Sequence, residues 1–166
     1  MNGSYSVKSA YSLCTSLAAE PIDVGLDRNW NMIWKMHVPH KVQSFLCRVG
    51  HSCLPTRTWL NQRGVHCEDS CVSYAVMAET HMHIFFVCPK ATECWDLVQL
   101  GTMMREMLGN TNDFNTFLFD FLSRLSSQQQ LAAMILWSLW KNRNSKLWDN
   151  VDCNTLNPTY HFLIKI

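Results

Sequence analysis

Several features that would assign a protein to a common functional class are missing from this sequence. No apolar run reaches the roughly 20 residues that a membrane-spanning helix needs, and no basic stretch followed by an apolar one marks a secretory leader at the N-terminus. A glycine-rich phosphate-binding loop is absent, as is any motif that would place a nucleophile beside a base and an oxyanion site. We therefore expect an intracellular protein, nuclear or cytoplasmic, that is not secreted, does not bind a membrane and is not an enzyme.

Cysteine is too sparse for a disulfide-rich scaffold. Eight Cys in 166 residues amount to about 5%, below the roughly 8–10% that is typical of such scaffolds. With no leader, the expected compartment is a reducing one, where thiols stay free. We expect some of these thiols to be buried as small apolar groups and others to bind a metal.

Acidic residues are missing from one block of the chain. Residues 28–67 carry six basic residues and no acid, whereas residues 68–120 carry eight acids and two bases, although the net charge of the whole chain is only +1. A basic block beside an acidic one suggests one face suited to phosphate groups. The candidate contacts to RNA or DNA are Lys35, Lys41, Arg48, Arg57 and Arg63.

Apolar residues are plentiful, at 48% of the chain with seven Trp and eight Phe, and 166 residues suffice for one domain with its own core. Their spacing predicts an all-α domain of six or seven helices without a strong β-sheet. A first helix is expected over residues 6–17, with a connector over 18–29. Residues 30–34 place two Trp on one face of a short helix. The next helix begins near Pro39 or His40, and its buried stripe is Val42, Phe45, Leu46 and Val49.

Proline, glycine and capping residues mark the predicted helix boundaries in the remaining stretch up to residue 113. Thr56 is a plausible N-cap of a short helix that ends at Gly64. Pro89 suits the first turn of a helix that stops at Gly101. Residues 102–113 read as a linker, rich in Met at its start.

Two further helices are expected in the C-terminal part. Phe and Leu recur at helical spacing over 114–125, with Asn112 or Asp113 as the cap. The longest helix, about 127–148, is apolar nearly all round and should therefore be central. The Trp residues lie at core spacing and are expected to be buried.

A short segment has the residue types of a zinc site. Structural zinc is held by four Cys and His ligands in a tetrahedron, and Cys71, His83 and Cys88 fit that description. His83 and Cys88 are five apart, so a turn or a broken helix must lie between them if both are to face one metal ion. A Cys three residues after Cys71 would complete the pattern, but the chain has Tyr74, and a phenol is a poor zinc ligand.

These residues belong to a larger set of short motifs in a fixed order along the chain. The set comprises Gly3–Tyr11, Trp30, Ile33–Trp34, Pro39–Leu46, Leu54–Thr56, Leu60, Arg63–Gly64, Glu79–Thr80, His83–Phe86, Cys88–Pro89, Trp95 and Trp137–Asn144. Together they resemble the reverse-transcriptase zinc-binding domain of plant LINE-type (non-LTR) retrotransposons. The resemblance covers most of residues 1–148, with a metal loop at 67–88, a C-terminal helical part at 112–148 and an irregular tail at 149–166.

The resemblance implies a non-catalytic domain with zinc as its cofactor and RNA or DNA as a partner; protein partners are unknown. Its ligand pattern maps onto Cys71, Tyr74, His83 and Cys88, which leaves the fourth ligand open. Cys67 could replace it if the loop folds back, and His81 is a second candidate. Alternatives are a three-ligand site with water, or a degenerate, metal-free helical scaffold that acts as a protein-interaction module. Glu79 is expected to make a structural hydrogen bond across the loop rather than to act as a general acid or base.

Overall fold

The computed structural model describes residues 30–109 and 113–149, and seven α-helices lie in these two ranges. Two short turns of other helical types complete the order, a π-helical turn at His83–Val87 and a 3₁₀ turn at Ser126–Gln128. The described part holds no β-strand, only an isolated antiparallel bridge between Ser70 and Ala78. The predicted all-α class is therefore confirmed. The helices are α1 (Trp30–Lys35), α2 (His40–Gly50), α3 (Arg57–Gln62), α4 (Pro89–Leu97), α5 (Gly101–Leu108), α6 (Phe114–Arg124) and α7 (Gln129–Asp149).

The core is aromatic, and the long helix α7 runs along it. Helix α7 packs against α2, α6 and the π-helical turn, and its residues from Ala132 to Trp140 are mostly buried. Phe86 makes edge or stacked contacts with Trp95, Phe117 and Phe121, with ring centroids 4.7–5.8 Å apart. The predicted central position of the longest helix is confirmed for this half of α7.

Local signals place the helix ends as the sequence indicated. The hydroxyl of Thr56 accepts a hydrogen bond from the Trp59 backbone N–H and caps α3, which satisfies one of the donors that a helix start leaves open. Gly64 lies just beyond that helix with a φ of 80°, a conformation that costs glycine little. Asp113 caps α6 by accepting from the Thr116 N–H.

The predicted linker at 102–113 is wrong over residues 102–108, because Gly101–Leu108 forms helix α5. Apolar residues recur in this stretch at the i, i+3, i+4, i+7 and i+8 spacing of a helix face, and Met is itself a good helix former. Helix α4 also ends earlier than expected, at Leu97. Two residues further on, Gln99 takes a positive φ of 62°. Helix α5 packs between α4 and α6 through buried Met104 and Met107.

The expectation of uniformly buried Trp side chains is also wrong. Trp95 and Trp140 are buried, but Trp34 is 49% exposed and Trp148 is 78% exposed. Trp34 lies near the end of the one-and-a-half-turn helix α1, where Ile33 takes the buried position. Trp148 lies in the last turn of α7, beyond the part of that helix which the core covers.

Some expectations fall on residues outside the two described ranges: the helix at 6–17, the connector at 18–29, a cap at Asn112 and nearly all of the tail at 149–166. Among the helices that the structure does describe, none is long and apolar enough to cross a membrane.

Candidate metal centre

Three of the predicted ligands meet at one point. The donor atoms of Cys71, His83 and Cys88 all lie within 4.8 Å of one another, and all three residues are buried. Tetrahedral zinc with bonds of about 2.3 Å to sulfur and 2.0–2.1 Å to nitrogen separates its ligand atoms by about 3.6–3.8 Å. The cluster therefore needs shifts of no more than about 1 Å to close on a zinc ion.

The π-helical turn is what brings His83 and Cys88 together. In an α-helix, residues five apart point about 140° away from each other. Here the Cys88 N–H donates to the His83 carbonyl oxygen at 2.7 Å, which closes a wider ring and returns residue 88 to the side of residue 83. The predicted turn between these two ligands is confirmed. The three apolar residues that follow His83 lie in the core, also as expected.

Neighbouring groups hold the turn in place. The Thr80 hydroxyl accepts from the His83 N–H at 3.0 Å, which caps the start of the helical segment. The Trp95 indole N–H donates to the Phe85 carbonyl oxygen at 2.7 Å inside the core. Buried backbone groups are costly when unpaired, so these bonds stabilise a turn type that is otherwise rare.

The chemistry of the three donors fits a zinc ion. His83 is nearly fully buried, yet no group in the described part of the chain lies in hydrogen-bonding geometry with either ring nitrogen, although buried polar atoms are normally paired. A metal ion bound to one ring nitrogen would take the place of the missing hydrogen-bond partner. One imidazole nitrogen and two sulfur atoms are ligands that zinc prefers.

A hydrogen bond between the two thiols moves their pKa values in opposite directions. The Cys88 thiol donates a hydrogen bond that lowers the pKa of Cys71 to about 5, although burial opposes the shift, and the backbone N–H groups of Tyr74 and Ser73 favour the thiolate as well. The same bond, together with burial, raises the pKa of Cys88. The lowered pKa favours the thiolate form of Cys71, which is the form that binds a metal.

A buried ion pair fastens the metal loop to the last helix. The Glu79 carboxylate accepts from the Arg143 guanidinium through both Nε and Nη2, and from the Arg57 backbone N–H at 3.0 Å. It also lies 3.5 Å from the Val72 backbone N–H, next to Cys71. The expected structural hydrogen bond of Glu79 across the loop is confirmed.

Arg143 is the residue of this site that the sequence did not single out. The structure buries Arg143 against the Glu79 carboxylate, 64 positions away in the sequence. The available signal was that Glu79 and Arg143 both belong to the motifs that carry the family resemblance.

Neither proposed substitute for the fourth ligand joins the cluster. Cys67 is exposed, and its backbone N–H and carbonyl both pair with the Asn61 side chain at 3.0 and 2.9 Å, so the loop start is held against α3. The expectation that Cys67 completes the set is therefore not met. His81 is also outside the cluster: its ring lies against Phe114, and burial lowers its pKa. Tyr74 is exposed at the surface.

The five candidate nucleic-acid contacts differ in solvent exposure and in the interactions that their side chains already make. Lys35, Lys41 and Arg48 are exposed. Arg63 is exposed as well, and its guanidinium lies 4.2 Å from the centre of the Trp59 ring. Arg57 has a structural task instead, because its guanidinium donates to the Ser70 carbonyl oxygen at 2.8 Å and lies 3.9 Å from Glu68.

Known proteins match this chain as follows. A family of domains described as zinc-binding in reverse transcriptase matches residues 5–95. A relative from Arabidopsis thaliana, named "Putative ribonuclease H protein", is 25% identical over 158 residues. The match covers 92% of this chain but 25% of that protein, so the chain spans about a quarter of the relative's length. No solved structure gives a significant match.

Proposed function

The chain belongs to the family of zinc-binding domains in reverse transcriptases, and we propose that it is a non-catalytic module in which Cys71, His83 and Cys88 hold zinc. The observation that carries the proposal is the buried His83 ring, which lies beside two thiols and whose nitrogens lack hydrogen-bond partners among the residues that the structure describes. When bound, zinc would supply a structural cross-link between the loop that begins near Cys71 and the start of α4. The domain itself would derive from a plant LINE-type retroelement. The polymerase and ribonuclease H activities of that element would lie outside this chain.

Cobalt in place of zinc tests the proposed ligand set. The wild-type chain is expected to show thiolate charge-transfer absorption, which Cys71→Ser and Cys88→Ser should reduce or abolish. Cys67→Ser is the matched control, because that thiol is exposed and lies away from the cluster, and its spectrum should equal that of the wild type. A wild-type chain without cobalt absorption would reject the zinc module in favour of a metal-free helical scaffold or protein-interaction module.

The second part of the proposal is that the domain contacts RNA or DNA through its basic block. Lys41 and Arg48 support it, because both are exposed on α2 and lie seven residues apart, about two helical turns, on one face. Trp34 is exposed nearby, with its ring centre 6.0 Å from that of His40, the residue before Lys41. Basic side chains neutralise phosphates, and an exposed aromatic ring can stack on an unpaired base. We therefore favour single-stranded RNA or DNA.

Charge reversal tests this face. Lys41→Glu and Arg48→Glu should each weaken binding of a single-stranded oligonucleotide. Each should also reduce the slope of log affinity against log salt concentration by about 1, the loss expected for one phosphate contact. Arg124→Glu is the matched control, since Arg124 is exposed on α6, outside the basic block. Arg57 is unsuitable for the test because its reversal would disturb the loop at Ser70. Equal affinity and salt dependence in all three variants and the wild type would reject the proposed face.

A further inference from the structure

We infer that the metal site of this chain has an open fourth position, which takes a water molecule or a small anion from a cavity beside the two sulfur ligands. The inference rests on the proposed zinc site and adds the class of ligand that completes it. Structural zinc sites close with four protein ligands, whereas sites with three leave a position for an exchangeable group.

The first step is that residues 30–109 and 113–149 supply three ligands. Within the described ranges, no other Cys, His, Asp or Glu joins the cluster of Cys71, His83 and Cys88. The position three residues after Cys71 is held by Tyr74, an exposed residue whose contribution near the site is its backbone N–H. Cys67 is held away by Asn61.

The second step is that space for a ligand adjoins the cluster. A cavity of about 30 Å³ is bordered by Cys71 and Cys88 and is also lined by Ile84 and Leu139. A water molecule needs about 10–15 Å³ of such volume. The cavity can therefore hold one water molecule or a small anion next to both sulfurs.

The third step is that the cavity wall offers polar partners to such a ligand. Asn142 lines the cavity, and its side-chain nitrogen is buried without a hydrogen-bond partner. An unpaired buried donor is costly, and a ligand that accepts its hydrogen would satisfy it. Ser73 and Lys90 also line the cavity, as does Arg143, whose charge is paired with Glu79. Hydrogen-bond donors in the wall therefore favour a water oxygen or a small anion over an apolar ligand.

Azide titration of the cobalt-substituted protein tests the open position. Azide should shift the visible cobalt bands of the wild-type chain in a saturable way. Tyr74→Cys should place a third thiolate on the metal, raise the charge-transfer absorption by about half, in the ratio of three thiolates to two, and abolish the response to azide. Asn142→Leu should keep the metal but weaken azide binding by about 2- to 12-fold, the range expected for one lost hydrogen bond.

The outcomes separate this inference from the zinc proposal. A wild-type chain that binds no cobalt overturns both. A chain that binds cobalt but whose bands do not move at saturating azide overturns the open position alone and leaves the zinc module standing. If Tyr74→Cys does not fold, the wild-type and Asn142→Leu titrations decide the question.

Discussion

Replacing Glu79 by Ala should cost far more stability than removing an ion pair at the surface. Glu79 is fully buried, and Arg143 is 8% exposed. Truncation of the carboxylate leaves the guanidinium charge buried without its counter-charge, and leaves the Arg57 N–H without its partner at 3.0 Å. Breaking a buried pair in this way costs about 3–5 kcal/mol. At roughly 2–4 °C per kcal/mol for a domain of this size, the Tm should fall by about 6–20 °C.

The matched control is the ion pair between Arg105 and Asp96. Its atoms are 2.8 Å apart, but both side chains are about half exposed, so Asp96→Ala should cost no more than about 1 kcal/mol. Thermal and urea unfolding of the three proteins would give the comparison. The double variant Glu79→Ala/Arg143→Met should be more stable than the sum of its single variants predicts, because it leaves no unpaired buried charge.

Two results would refute this reasoning. The first is a Glu79→Ala protein whose free energy of unfolding lies within about 1 kcal/mol of the wild-type value, because that is the contribution of a solvent-exposed ion pair. The second is strict additivity in the double variant, which would show that the two side chains do not interact.

Three further predictions concern local packing, capping and pH. Gly50→Ala should destabilise the protein by about 1–3 kcal/mol in urea unfolding, because the new Cβ would lie 3.0 Å from Trp30 and 3.2 Å from Phe119; a gain in stability from better helix propensity would contradict this packing. Thr56→Ala should cost about 0.5–2 kcal/mol through loss of the α3 cap, whereas Thr56→Ser, measured alongside, should retain most of it. In the metal-free protein, the pKa of Cys71 falls from its ordinary value of 9.0 to about 5, so this thiol's contribution to stability should decline as pH drops from about 9 to about 5 and level off below that. Unfolding across that range in the presence of a chelator should show the fall in the wild type and lack it in Cys71→Ala.

Sequence reasoning predicted most of the helices because their signals are local. The buried stripe of α2, the Thr56 cap and the Asp113 cap each depend on residues within one or two turns. Helix α5 has a local signal as well, because its Met residues lie at helical spacing. The physical lesson is that Met fills core positions as readily as Leu does.

The site was predictable only as far as the metal constrains its ligands. Two ligands five residues apart must converge, so a turn between His83 and Cys88 followed from the spacing. The position of Cys67 depends instead on its pairing with the Asn61 side chain, and the burial of Arg143 depends on a carboxylate 64 residues away. The first contact joins residues six apart across an irregular turn, which helical periodicity does not describe. The second depends on how the last helix packs against the metal loop, and no local pattern encodes it.

Metal content is the most direct test of the central claim that Cys71, His83 and Cys88 form a zinc site. Elemental mass spectrometry of the purified chain should find close to one zinc per molecule, and His83→Ala should remove most of it, because the cluster then retains only two ligands. Purified wild-type protein that is folded and takes up no zinc when the metal is supplied would contradict the account.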